Sequence, residues 1–93
     1  MTIRKLTAMP YAQAHIEITE NNTICLFSYV TLVASIDPDG WLTVYGLYSQ
    51  TTRKHISAFV REYAQPCDYA TVKYIYNEKL RINIRTGEVV DID

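Results

Sequence analysis

Ile24-Cys25-Leu26-Phe27-Ser28-Tyr29-Val30-Thr31-Leu32-Val33-Ala34-Ser35-Ile36-Asp37-Pro38-Asp39-Gly40-Trp41-Leu42-Thr43-Val44-Tyr45 is the stretch whose reading decides the fold. Two runs rich in β-branched, aromatic and aliphatic residues flank Asp37-Pro38-Asp39-Gly40. Pro38 is placed for a type I turn and Gly40 for the left-handed residue that closes a three-residue hairpin loop. Residues 23–36 therefore read as one long β-rich run and residues 41–47 as the strand that returns. Side chains on a strand alternate faces, so a one-residue slip would move a whole apolar set to the wrong side. With Pro38-Asp39-Gly40 as the loop, Ile36 opposes Leu42 and Ala34 opposes Val44. Upstream, residues 14–19 alternate through Ile16 and Ile18, and Glu20-Asn21-Asn22 supplies a turn. That hairpin sets Ile18 against Ile24 and Ile16 against Leu26. The even-numbered positions Ile16, Ile18, Ile24, Leu26, Val30, Leu32, Ala34, Ile36, Leu42 and Val44 form one aliphatic face suited to burial.

Downstream the period changes. Thr52, Ile56, Phe59, Val60 and Tyr63 recur at helical spacing over residues 50–64, with Ser49 or Thr51 available as N-cap. The apolar stripe of this helix can cover the aliphatic sheet face, and Gln65-Pro66 ends it. Residues 69–76 and 79–85 read as a further hairpin through Asn77-Glu78-Lys79, and Thr86-Gly87 turns into a short strand near residues 88–92. The predicted order is β-β-β-α-β-β(-β), an α+β fold with one helix packed on one face of an antiparallel sheet. Residues 1–93 are expected to form a single small domain, with 1–11 a loosely ordered N-terminal segment outside the predicted elements.

At 93 residues and 10.7 kDa the chain is long enough for one hydrophobic core and too short for two. Nine Lys and Arg against ten Asp and Glu leave a net charge of -1, which excludes a uniformly basic nucleic-acid binder and a strongly acidic DNA mimic. The cysteines, Cys25 and Cys67, stand far apart and outside any C-x-x-C pair, so no disulfide framework or closed zinc site is indicated. No signal-peptide-like or membrane-spanning apolar run is present, and a cytoplasmic protein without a membrane partner is expected. His15, His55, Cys25 and Cys67 match no metal-ligand or nucleophile spacing, and the glycines form no phosphate-cradling loop. The chain is thus expected to be non-enzymatic, with no catalytic residue, metal or cofactor.

Tyrosine occurs eight times beside two Phe and one Trp, so most of the aromatic content carries a polar tip. By parity, Tyr63, Tyr74 and Tyr76 face the core, while the odd-numbered face gathers His15, Glu17, Phe27, Tyr29, Thr31, Trp41, Thr43 and Tyr45. The last hairpin adds Thr71, Lys73, Arg81, Asn83 and Arg85 to that side. Rings stack on bases and cations neutralise phosphates, so Phe27, Tyr29, Trp41, Tyr45, Lys73, Arg81 and Arg85 are candidates for single-stranded nucleic-acid binding. The competing readings of the same residues are a partly solvated face and a homodimer interface anchored by its aromatics. A second candidate is the helix start, Tyr48, Ser49, Thr51, Thr52, Arg53, Lys54 and His55. Arg53 and Lys54 stand where the helix dipole disfavours cations, and a bound anion would relieve the conflict. Against this, Ser49 or Thr51 need be no more than a cap, since an unfavourable dipole contact costs only about 0.3–1 kcal/mol at a surface.

The segments Ser28-Tyr29-x-Thr31-x-Val33-Ala34, Gly40-Trp41-Leu42 and Tyr48-Ser49-x-Thr51-Thr52-x-Lys54-His55-Ile56 with Phe59 resemble a domain of unknown function. That domain is found in small proteins of bacteriophages and mobile elements of Gram-positive bacteria. The likeness spans roughly residues 27–60 and is most specific in the Tyr-Ser-x-Thr-Thr-x-Lys-His block. It implies a phage or prophage accessory protein of the bacterial cytoplasm and brings no activity or cofactor. The expectation is a small binding module acting on nucleic acid or a host protein, or alternatively a homodimeric protein-interaction domain with no nucleic-acid role.

Overall fold

The computed structural model describes residues 1–10 and 12–92, so Tyr11 and Asp93 lie outside the description. Strands β1 (Thr2–Arg4), β2 (Ala14–Ile18), β3 (Ile24–Ser28), β4 (Thr31–Ile36) and β5 (Trp41–Val44) precede helices α1 (Gln50–Tyr63) and α2 (Tyr69–Asn77). Strands β6 (Leu80–Asn83) and β7 (Val89–Asp91) follow. All seven strands form one sheet in sequence order, and every neighbouring pair is antiparallel. The fold is α+β, with both helices on one side of the sheet.

The register expected from parity holds in the pairs around residues 16–26 and 34–44. Ile18 pairs Ile24 and Ile16 pairs Leu26, while Ile36 pairs Leu42 and Ala34 pairs Val44. Gly40 adopts φ +95°, its amide donates to Asp37 O at 2.9 Å, and Asp37 Oδ1 accepts from the Asp39 and Trp41 amides at 2.9 and 3.0 Å. The side chain of Asp37 thus closes the loop that the proline and glycine announce.

Elsewhere the structure corrects the reading. Residues 23–36 are two strands, because the chain turns at Tyr29-Val30 and Ser28 pairs directly with Thr31. A bulge follows, with Leu26 opposite Ala34 but Phe27 opposite Leu32, so Val33 is the extra residue. The bulge resets parity: Val33 is fully buried, Leu32 leaves the core face, and Val30 at the turn is 91% exposed. Residues 69–77 form a helix where a strand was expected. Asp68 caps it by accepting from the Thr71 amide (2.9 Å) and hydroxyl (3.0 Å), and Tyr69, Val72, Ile75 and Tyr76 supply a stripe at helical spacing. Tyr74 consequently points outward, 55% exposed, rather than into the core. Strand β6 pairs with β5 and β7, so the expected 69–85 hairpin does not form. The N-terminal segment supplies β1, and Leu6 behind it is fully buried.

The core is the covered face. Ile16, Leu26, Ala34, Ile36, Leu42 and Val44 join Ile56, Phe59 and Val60 of α1 and Val72 and Ile75 of α2 in one cluster. Phe27, Leu32, Trp41 and Val90 belong to neither the cluster nor the partly buried side chains packed on it.

Candidate functional site

Two places in this fold carry more chemistry than packing requires. The first is the sheet face opposite the helices. Register places Ile3, Glu17, Cys25, Ser35 and Thr43 in one row across β1 to β5; continuing the β5–β6 register one step past Leu42–Ile82 sets Arg81 level with Thr43, and Arg81 pairs Val90. Around this row the side chains cover one another. His15 stacks flat on Phe27, with centroids 5.1 Å apart and planes 4° from parallel, and its Nε2 meets Glu17 Oε2 at 2.8 Å. The Arg81 guanidinium lies 4.8 Å over the Trp41 ring, and Ser35 Oγ is 2.8 Å from Tyr45 Oη. Cys25, beside Glu17, has its thiol pKa pushed up, first by burial and then by that carboxylate. Arg81 Nε is buried and has no hydrogen-bond partner among the described residues.

Of the residues expected on this face, Phe27, Trp41, Tyr45 and Arg81 are there and Glu17 accompanies them. Lys73 is on α2 and exposed, since residues 69–77 are helical. Arg85 lies beyond β6, where its Nη2 donates to Pro38 O at 2.9 Å and its stem packs on Gly40. Asn83 is buried and structural: its amide nitrogen donates to Asp39 O, and its oxygen accepts from the Arg85 and Thr86 amides. The face therefore presents one guanidinium, where sequence parity had gathered three cations. Sequence reasoning missed Leu32, because only the bulge brings it to this side.

The second place joins the β3–β4 turn to the start of α1. Ser28, Tyr29, Thr31 and Val33 from the sheet and Tyr48, Ser49 and Thr52 from the helix start line a cavity of about 370 Å³. Ser28 Oγ is 2.8 Å from His55 Nδ1 and 3.3 Å from Thr52 Oγ1, and Ser49 Oγ accepts from the Thr52 amide at 3.1 Å as N-cap. Ser28, Thr52 and His55 are 2%, 4% and 1% exposed, so their contacts brace α1 against β3 out of solvent, with the exposed Ser49 at the edge. Burial lowers the His55 pKa below its ordinary value. Tyr29 holds φ +58°, a left-handed backbone that costs a non-glycine residue about 1 kcal/mol. Its amide donates to Gln13 O at 2.6 Å and its ring tilts over His55 at 6.1 Å. Tyr29 thus belongs to this place and not to the open face.

The expected anion site is only partly assembled. Tyr48, Ser49 and Thr52 line the cavity and His55 lies beneath it, whereas Thr51, Arg53 and Lys54 are exposed and line no part of it. The cavity wall is uncharged, which suits an anion poorly. Ser28, the centre of the brace, shows in the sequence as a hydroxyl on an aliphatic parity and as the head of the Ser-Tyr-x-Thr segment, with nothing local to pair it with His55. Among the described residues no three His, Cys, Asp or Glu side chains gather to hold a metal ion, and no helix is long and apolar enough to cross a membrane.

The model of a family of unknown function, DUF8033, matches residues 2–73, from β1 into α2. No curated protein and no solved structure matches the chain.

Proposed function

We propose that the chain, which belongs to the DUF8033 family of unknown function, is a non-enzymatic binding module whose open sheet face docks a protein. The observation that carries this reading is the composition of that face. Phe27, Leu32 and Trp41 lie there half-buried against their neighbours, outside the core cluster, with a single Arg and a single Glu in the central row. Aromatic anchors with few charges at the centre are the signature of a protein interface core. Nucleic-acid binding is the weaker reading, because phosphate contacts need several cations and Arg81 stands there with Glu17. The likeness of the Ser-Tyr-x-Thr and Tyr-Ser-x-Thr-Thr-x-Lys-His blocks supports a setting in a phage or mobile element, in the bacterial cytoplasm.

The test compares wild type with folded Trp41→Ala and Phe27→Ala as bait in a bacterial lysate. A protein partner held by wild type and released by both variants is the expected result. Partners held equally by all three remove the reading, and so does salt-sensitive binding of single-stranded oligonucleotide at about 50 mM salt that survives in neither variant.

A further inference from the structure

The geometry points to a second copy of this chain as the occupant of the open face, related by a two-fold axis along β4, with Glu17 of each protomer paired to the partner's Arg81. This names the partner of the protein-docking reading above and rests on it. Strand β4 is the middle of seven, so β2 and β6 are equally far from it on either side. Glu17 on β2 and Arg81 on β6 also lie in the same row across the sheet. A half-turn about an axis along β4, in the plane of contact, keeps rows level and lays each β2 over the partner's β6. Both sheets keep the same hand and phase of twist, as stacked sheets require.

Under that rotation unlike charges meet in both directions. Phe27, one strand from the centre, comes over the partner's Tyr45, and Ile3 at one edge comes over the partner's Val90 at the other. The other in-plane axis, across the strands, sets Glu17 on the partner's Glu17 and Arg81 on the partner's Arg81, which is repulsive. Charge therefore selects the axis. Within one chain the two residues are four strand spacings apart, about 19 Å, and cannot pair.

Arg81 supplies the independent reason for a carboxylate. Among the described residues Arg81 has no ion-pair partner and its Nε has no acceptor, and its guanidinium carbon lies 4.8 Å over the Trp41 ring. The terminal amino groups of a guanidinium can take a carboxylate by two parallel N–H···O bonds. Glu17 Oε2 contacts His15 Nε2, and a carboxylate has acceptor capacity for more than one donor. The face spans about 29 Å across the strands and about 17 Å along them. That is the small end of specific interfaces, so association at micromolar concentration is expected.

Sedimentation velocity with light scattering tests the pairing. Wild type is expected to be a dimer at about 100 μM, with Glu17→Arg and Arg81→Glu each weakening association at least about tenfold, or 1.4 kcal/mol, while keeping the wild-type circular dichroism. An equimolar mixture of the two single variants restores the dimer, because both contacts across the axis then join a guanidinium to a carboxylate; the double variant E17R/R81E restores it too. Should a charge-reversed chain not fold, Glu17→Gln and Arg81→Gln are each expected to weaken association by less, since they remove an attraction without adding a repulsion, and folded Gln variants that dimerise as wild type does overturn the pairing equally. A wild type that stays monomeric to about 1 mM, folded single variants that dimerise as wild type does, or a mixture that stays monomeric overturns the pairing. A monomeric wild type whose lysate partner is still lost on Trp41→Ala overturns the second copy alone, whereas no effect of Trp41→Ala on any partner overturns the docking face itself.

Discussion

On the covered face of the sheet Ile16, Leu26, Ala34 and Leu42 reach 0% exposure beneath α1 and α2, while on the other face of the same strands Phe27 and Trp41 remain half-buried, sheltered by His15 and Arg81. The strands are shared, so what separates the two faces is the helical layer. Folding free energy comes chiefly from apolar area shut away from water, and that area lies under the helices. The open face contributes less to folding, and its apolar surface is what the proposed association would bury. The polar brace of Ser28, Thr52 and His55 belongs to the covered side, where an unmade hydrogen bond is costly.

The largest test of this contrast is truncation on either side. Phe59→Ala or Leu26→Ala on the covered face should lose about 3–5 kcal/mol of stability, read by urea denaturation. Trp41→Ala, although it removes a larger ring, should lose less than about 2 kcal/mol because the site is already open to water. Similar losses at Trp41 and Phe59 would break the comparison.

Next in size is the brace. Ser28→Ala deprives His55 Nδ1 of its 2.8 Å partner in a buried setting, and a loss of about 1–3 kcal/mol is expected. The same histidine imposes a pH dependence. Its folded pKa is depressed by burial, so above the ordinary value of about 6.5 neither folded nor unfolded chain is protonated there and its contribution is whole. As pH falls below that value the unfolded chain gains a proton that the folded chain takes up only at lower pH, and stability declines over the interval between. Denaturation midpoints measured from pH 7.5 to 5 should show this decline in wild type and a flatter course in His55→Gln. An unchanged slope in the variant would mean that His55 is not the group responsible.

How far the sequence discloses these faces depends on how local the determining physics is. The Asp37-Pro38-Asp39-Gly40 loop and the pairings beside it were legible because a proline, a positive-φ glycine and strict alternation act within a few residues. Helix α1 was legible from its apolar period and the Ser49 cap. Helix α2 was not, because Val72, Tyr74 and Tyr76 alternate as a strand would and favour strands by type, whereas the deciding signals were the Asp68 cap and contacts with β5 and β6. The misplacement of Lys73 followed from that error, and that of Arg85 from the end of β6 at Asn83, where the chain turns. The cavity was half legible: Tyr48, Ser49 and Thr52 stood together in sequence, but Ser28, Thr31 and Val33 meet them only through the β3–β4 turn.

Val30 offers the smallest and sharpest measurement, since the two readings of residues 23–36 place it on opposite terms with water. As a member of one long strand it would share the aliphatic parity of Leu26 and Ala34, and a charge there would be buried at a cost of several kcal/mol. In the structure it sits at the Tyr29-Val30 turn with 91% of its surface exposed and outside the core cluster. Val30→Asp is therefore expected to change stability by no more than about 0.5 kcal/mol, as surface substitutions do. The neighbouring Tyr29 takes the left-handed φ of the turn, so an aspartate at position 30 meets no positive-φ demand of its own. A loss above about 2 kcal/mol would mean that the strand runs unbroken through residue 30, and with it the bulge at Val33 and the assignment of Leu32 to the open face would fall.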